Sequence, residues 1–581
     1  MQRRHFLQTI AGAAQAQAAA SAPVYLADLS VCRPSTALTR KARPRKWLLL
    51  DYETESGQGV MLVAGQNTHA PEITLPLQVA GWHAISFGLR SYGAGEDETY
   101  LQVRLSSDRA FTLIKHRPEQ RDRLDEYYWK TADLSGQQIV LRQYWRQLDA
   151  ADPDSLANPC KGVWLAYVKL VPLNQEQVAQ FTEDRKPASP HRRLFAHHDA
   201  WSYTWEFRPS TVAEIHRELE PFRESDFARI YWEAGMGDRM YYPTKLGLTA
   251  ADDWIEDPYR VGDRLAAESW REFRRKGIDP FKVALEYSHA LGLEFHATYR
   301  PAGFHFPVPE HEWNSGGLYD RHPEWRGRDK HGNATPRLSY AFAGVRGAAL
   351  RFLGEISAYP VDGLCIAFNR RPPLIEYEAP VVESFQRQFG QDPRELADND
   401  PRWLRHRATF VTQFMRDLRK LAGKRSLTAI VLSSERENLY FALHLESWIQ
   451  EGLIDTLVPY SSVERINSAM DSWTNPADAD FFFRITRGTR CRLALNLMPR
   501  LLSPEQYRTR AHRLYQAGAE NLFLWDTNAR YDFGPSWTAL RRLGHRAEVA
   551  AWAESGSPPL PRPGTKLVRL GDWNLRYATP G

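Results

Sequence analysis

Cysteine is scarce: four residues in 581, Cys32, Cys160, Cys365 and Cys491, none in a CxxC pair. That excludes a disulfide framework and offers no zinc-ribbon spacing. No stretch of about 18 apolar residues occurs, so no segment reads as a membrane-spanning helix. An excess of one charge is missing too. The 75 Lys and Arg stand against 70 Asp and Glu spread along the whole chain, a net charge of +5 that builds no face for nucleic acid. Neither HExxH nor GxSxG is present, which removes the signatures of a zinc-protease helix and of a nucleophile elbow. What the chain does have is aromatic side chains, 12% of residues with 19 Trp and 25 Tyr. Flat aromatic faces suit the apolar faces of sugar rings, although most such rings serve a core.

The composition shifts along the chain predict its domains. Residues 1–22, MQRRHFLQTIAGAAQAQAAASA, have paired arginines, a weakly apolar Ala-rich run and small residues at the end, the layout of a twin-arginine export signal. The expected location is therefore periplasmic or extracellular. Residues 23–44 read as a linker. Residues 45–174 hold short alternating runs such as KWLLLDYE, WHAISFGLRS and GVWLAYVKLVPL separated by turn formers, the pattern of an antiparallel β-sandwich. Such a unit serves either as a carbohydrate-binding module or as packing against a larger domain.

A second polar linker, 175–190, precedes a different rhythm. Over 191–556, eight apolar strand runs alternate with amphipathic helical segments. The runs begin near 194, 228, 293, 362, 427, 454, 492 and 521, and several intervening helices end on Gly. This predicts an α/β fold, a (β/α)8 TIM barrel behind an N-terminal β-sandwich, with 557–581 as a C-terminal tail that can return as an extra strand.

Functional side chains of such barrels stand at the C-terminal ends of the strands. Read in order, those ends offer His197, His198, Asp199 and Trp201; Trp232, Glu233 and Asp238; His296, Tyr299 and Arg300; Asn369, Arg370 and Arg371; Glu435 and Glu437; Tyr460; Asn496; and Trp525, Asp526 and Asn528. Carboxylates and amides hydrogen-bond sugar hydroxyls while Trp and Tyr pack on ring faces. Glycosidic cleavage requires two carboxyl groups, about 5–5.5 Å apart for retention and about 6.5–9.5 Å for inversion. Four strand-end carboxylates are available for the catalytic role: Glu233, Glu435, Glu437 and Asp526. Each has a local alternative, Glu435 and Glu437 as the start of a helix in SSERENLYFAL and Asp526 as a loop anchor. The pair His197 and His198 would point to opposite sides of a strand, so it reads as a hydrogen-bonding histidine rather than a metal site. No metal or organic cofactor is expected.

The segment HPEWRGRDKHGNATPRLSYAFAGVR, followed by VDGLCIAFNRRPPLIEYEAPVVESF, resembles bacterial family-10-like glycosyl hydrolase-like proteins. The resemblance spans about residues 190–550 and implies an exported sugar-processing barrel. In the amylase-related branch, carboxylates occupy the end of the fourth strand, where this chain has Ala367 and Phe368 followed by Asn369, Arg370 and Arg371. A hydrolase of this sequence must draw its acids from other strands. Arg370 and Arg371 suit either an anionic sugar such as a uronate or a structural salt bridge to Glu376 or Glu378. The expected function is cleavage of a polysaccharide or oligosaccharide by two carboxylates; the alternative is a non-catalytic carbohydrate-binding protein on the same scaffold. The expected partner is carbohydrate. The sequence leaves the sugar, the linkage and the oligomeric state open.

Overall fold

The computed structural model describes residues 22–66, 68–90, 99–116, 122–144, 160–252, 261–308, 311, 315–370, 372–460, 479–498, 502–527, 534–560 and 564–575. The export-signal segment, Arg371 and Asn528 lie outside the described residues.

Eight parallel strands close on themselves. They are β1 Leu194–His198, β2 Phe227–Met236, β3 Glu294–Arg300, β4 Gly363–Ala367, β5 Ser426–Val431, β6 Thr456–Pro459, β7 Arg492–Asn496 and β8 Asn521–Leu524. Each pairs with its sequence neighbours, and β1 pairs with both β2 and β8, which closes the barrel. Strands buried on both faces explain the near-continuous apolar runs of the sequence. Inside, Phe195, Tyr231, Cys365, Ala367, Ile430, Val458, Ala494, Phe523 and Trp525 form one packed cluster. Outside, a larger core fills the space between strands and helices.

The helices follow local signals. The longest, Pro401–Ala422, starts with Asp400 accepting from the Arg402 backbone N–H at 2.8 Å, has Pro at its first position and stops at Gly423, whose φ of 59° favours glycine. Its buried residues Trp403, Leu404, Val411, Phe414, Met415 and Leu418 recur at helical spacing and face the barrel. All four cysteines are buried and free.

Residues ahead of the barrel, joined by two short strands from after it, form two largely antiparallel sheets. One has four strands, 73–76, 138–143, 99–105 and 112–116; the other has nine and includes 47–54, 57–64, 163–172, 82–89 and 123–133. Side chains from both, among them Leu75, Leu101, Ile139, Phe87 and Leu165, share a core. The larger sheet curls. The C-terminal strand Gly564–Leu570 pairs through its first half with 123–133 and through its second with 47–54, joining the two edges of that sheet. Covering both edges removes exposed ladder groups and encloses Tyr52, Met61, Leu124, Ala166 and Leu567 in a second small core. The larger sheet meets the barrel through Glu224, which accepts from the Thr131 N–H and the Tyr128 hydroxyl, both at 2.8 Å.

Leu567 is fully buried between the two edges. Leu567→Ala is expected to lower stability by about 2–5 kcal/mol in denaturant titration. A change within about 0.5 kcal/mol would show that the returning strand only rests on the sheets.

Candidate active site

Along β1 side chains alternate, so His197 points into the barrel and His198 points out. His198 stacks on Trp232 at 4.1 Å and faces Glu218 at 3.6 Å, in the layer between strands and helices. His197 lies between two carboxylates supplied by the strands that flank β1. Its Nε2 is 3.1 Å from Glu233 Oε1, and its Nδ1 is 3.5 Å from Asp526 Oδ1. The ring lies flat against Trp525 at 3.7 Å and 11°. Asp526 has a φ of 45°, a left-handed conformation that Asp tolerates better than most residues and that sits at the turn leaving β8. Thr527 ties this turn to β1, its hydroxyl accepting from the His197 backbone N–H at 3.2 Å and donating to the Leu524 carbonyl at 2.6 Å.

Arg300, at the end of β3, donates from Nε to Glu233 Oε1 at 2.6 Å. Glu233 Oε2 is buried without a hydrogen-bond partner among the described residues. Beyond β4, the Arg370 guanidinium stands 5.5 Å from the Trp525 ring centroid, and that of Arg300 stands 6.0 Å from it. Burial, and then the neighbouring Arg300, push the Arg370 pKa down to about 10, so it remains charged at neutral pH. Asn369 is fully buried, and neither end of its amide has a partner among the described residues. Asn496 Oδ1 accepts from the Trp525 backbone N–H at 3.4 Å, and the Tyr460 ring is 4.9 Å from that of Trp525. The site therefore alternates charges around one indole: His197, Glu233 and Arg300 on one side, with Asp526 and Arg370 completing the set.

Burial works against a charged His197, but hydrogen-bonding distance to Asp526 and Glu233 and their negative charge outweigh it, and its pKa is raised above the ordinary 6.5. The charge-stabilising contacts are thus in place below pH 6.5 and are lost as pH rises through the folded-state value.

Several expected residues do not join this group. Trp232 and Tyr299 each sit next to an inward residue and so face outward; Tyr299 donates to the Gly237 carbonyl at 2.7 Å in the outer core. His296 points inward but is four residues before Arg300, about 13 Å lower along the strand. It lies beside Glu294, 3.7 Å away, and lines a polar cavity of about 450 Å³ at the opposite end of the barrel. Asp199 accepts from the backbone N–H groups of Trp201 and Ser202 at 3.2 and 3.0 Å, organising the turn after β1, and Trp201 packs 5.7 Å from Tyr241 in the outer core. Glu437 is bound within a cap, its N–H donating to Ser434 Oγ and its carboxylate accepting from Ser433 and Ser434. Glu435, with 60% of its side chain exposed, stands 3.9 Å from Arg484. The helix-start reading describes both. Arg370 forms no salt bridge to Glu376 or Glu378; Glu378 instead accepts from the N–H groups of Arg328 and Glu376. Thr527 was not singled out in the sequence, where WDTN drew attention to its Trp, Asp and Asn.

No protein-family model matches the chain, and no curated protein matches it. Among solved structures it is similar to α-L-fucosidase isoenzyme 2 from Paenibacillus thiaminolyticus, at 12% identity and a TM-score of 0.40, over 63% of this chain and 50% of that one. It is similar to a β-galactosidase from the psychrophilic Marinomonas ef1, at 15% identity and a TM-score of 0.40, over 63% and 60% of the two chains. It is also similar to TtGalA, an α-galactosidase from Thermus thermophilus, at 14% identity and a TM-score of 0.34, over 87% and 91%. The chain thus spans about half to three fifths of the length of the first two.

An NMR titration of the His197 ring is expected to give a midpoint above 6.5. A midpoint below it would mean that burial overrides the two carboxylates.

Proposed function

We propose that the protein is an exported glycoside hydrolase-like enzyme that cleaves glycosidic bonds at the C-terminal mouth of its barrel, with Asp526 and Glu233 as the carboxylate pair. The observation that carries this reading is their placement at opposite nitrogens of His197. Their two contacts to one imidazole keep the facing oxygens less than about 9 Å apart, a bound that admits both the retaining and the inverting separations. Asp526 is the more accessible of the two, with 13% of its side chain exposed against none for Glu233. In this reading Asp526 meets the substrate first. Glu233, clamped by Arg300, is the second carboxylate of the pair and faces the other nitrogen of the same ring. Trp525 and Tyr460, both buried, pack beneath these groups and hold them in place. Arg300 and Arg370, both near Trp525, favour a sugar bearing an anionic group such as a uronate carboxylate. We assign the twin-arginine segment to export and the two N-terminal sheets to a sandwich that either binds carbohydrate or braces the barrel.

A second reading is favoured by one feature. The fourth strand ends in Ala367 and Phe368, both buried and apolar, where a sugar-cleaving barrel of the resembling kind has an acid. A binding protein on a retired hydrolase scaffold would keep the aromatic and arginine groups and dispense with turnover.

The two readings separate in a reducing-end release screen of the mature protein against neutral and uronate-containing polysaccharides, with binding recorded in parallel. If it is a hydrolase, Asp526→Asn lowers kcat by about 10²–10⁴-fold while substrate binding persists. Glu233→Gln and Asp526→Asn variants of undiminished activity would refute the carboxylate assignment. Binding without any release would establish the second reading.

A further inference from the structure

At the opposite end of the barrel from the mouth, three side chains far apart in sequence converge. Asp184 lies on the helix Gln175–Arg185, His191 just before β1, and His545 at the start of the helix Arg546–Glu554. One donor atom from each lies within 4.8 Å of the others. We propose that Asp184, His191 and His545 bind a divalent transition metal ion, zinc by the chemistry of the donors.

Two imidazoles and a carboxylate are the donor set zinc takes in three-ligand sites, with the fourth position left to water. The spacing fits. His545 Nε2 is 3.3 Å from Asp184 Oδ2, and bonds of about 2.0–2.2 Å at a tetrahedral centre place neighbouring donors roughly 3.3–3.6 Å apart. His191 Nε2 is slightly farther, 3.9 Å from Asp184 Oδ1. A third of its side chain is exposed, and its ring stacks on His545 at 3.9 Å without a hydrogen bond among the described residues, so it can turn to complete the set. The exposed edge also gives the ion an entry path.

The surrounding groups orient the donors as a metal site requires. Asp226, fully buried, is 2.7 Å from His545 Nδ1. That contact places the proton on Nδ1 and leaves Nε2 as the donor, the carboxylate–histidine–metal relay. Gln180 Nε2 donates to Asp184 Oδ1 at 2.7 Å and fixes the carboxylate. The nearby Arg542 is occupied by Glu548 through two hydrogen bonds of 3.3 and 2.5 Å. Gly544 allows the approach: a Cβ there would collide with the His191 carbonyl and lie 2.7 Å from the Asp226 Cβ. The ion would join the helix entering the barrel to the helix that follows its last strand. It takes no part in the chemistry of the mouth.

The test is titration of the chelator-treated full-length mature protein with Co2+, whose visible absorption reports a low-coordinate nitrogen and oxygen site, followed by displacement with Zn2+. One Co2+ per chain is expected, displaced by one Zn2+, together with a higher melting temperature when zinc is present. Asp226→Asn should weaken binding by about 10–100-fold. His191→Ala removes a partly exposed ligand with little risk to folding and should weaken binding at least as much. An absence of Co2+ absorption would overturn the proposal, leaving His545 as a bridge between two carboxylates. Binding that His191→Ala and Asp226→Asn both leave unchanged would also overturn it. Asp526→Asn should have no effect on this titration, so failure here and failure of the glycosidase reading are told apart.

Discussion

Closure of the barrel through β1 is the constraint on which the rest depends. Because β1 hydrogen-bonds to both β2 and β8, His197 has the inward residue of one neighbour on each side. Glu233 comes from the second strand and Asp526 from the turn after the last, 293 residues later by their numbering. Strand register places Glu233 beside His197, and the left-handed turn at Asp526 places the other carboxylate, so no long loop needs to fold over. Thr527 reinforces that register by binding the β1 backbone just where the histidine departs.

Placing five ionisable groups around one buried indole is costly unless each is answered. The Glu233 contacts to His197 and Arg300, and the Asp526 contact to His197, supply most of the answer. Removing a single member leaves its partner buried without compensation, which destabilises more than the pair itself stabilises. Arg370 is the exception. It has an aromatic neighbour and no salt bridge among the described residues, and Asn369 beside it has both ends of its amide without partners. These groups give the mouth its polar demand, one that a hydroxylated or anionic molecule meets better than an apolar one.

The barrel was legible because each strand is a run of apolar residues bounded by turn formers, and the runs are spaced by helices with ordinary caps. The strand ends were legible for the same reason, so His197, Glu233, Arg300 and Asp526 could be named in advance. Facing was harder to read. Trp232 and Tyr299 are chemically suited to a sugar site, yet a shift of one residue turns a side chain to the other surface of the sheet. His296 faces inward but belongs to a lower layer, which periodicity alone does not distinguish. Glu435 and Glu437 follow a strand but are drawn into the first turn of a helix by Ser434. The tail was expected to return as a strand, but the pattern did not show that it would join both edges of the N-terminal sheet, because those edges lie far from it in the chain. The cluster around His545 has no spacing motif at all, since its members are brought together only by the closed fold.

That final strand has a consequence for how the chain is made. Lys566 pairs with Arg123, and Leu570 with Tyr52, so one sheet has a gap that only residues made after the whole barrel can fill. Loop-closure entropy grows slowly with length, so such a distant pairing is thermodynamically inexpensive, but it delays completion until the barrel has been made. The barrel, whose strands pair in chain order, can assemble as it emerges; the sheets that precede it must wait. A ribosome that stalls between the barrel and residue 564 would release a protein with an intact mouth and an open sheet edge, a product prone to associate through that edge.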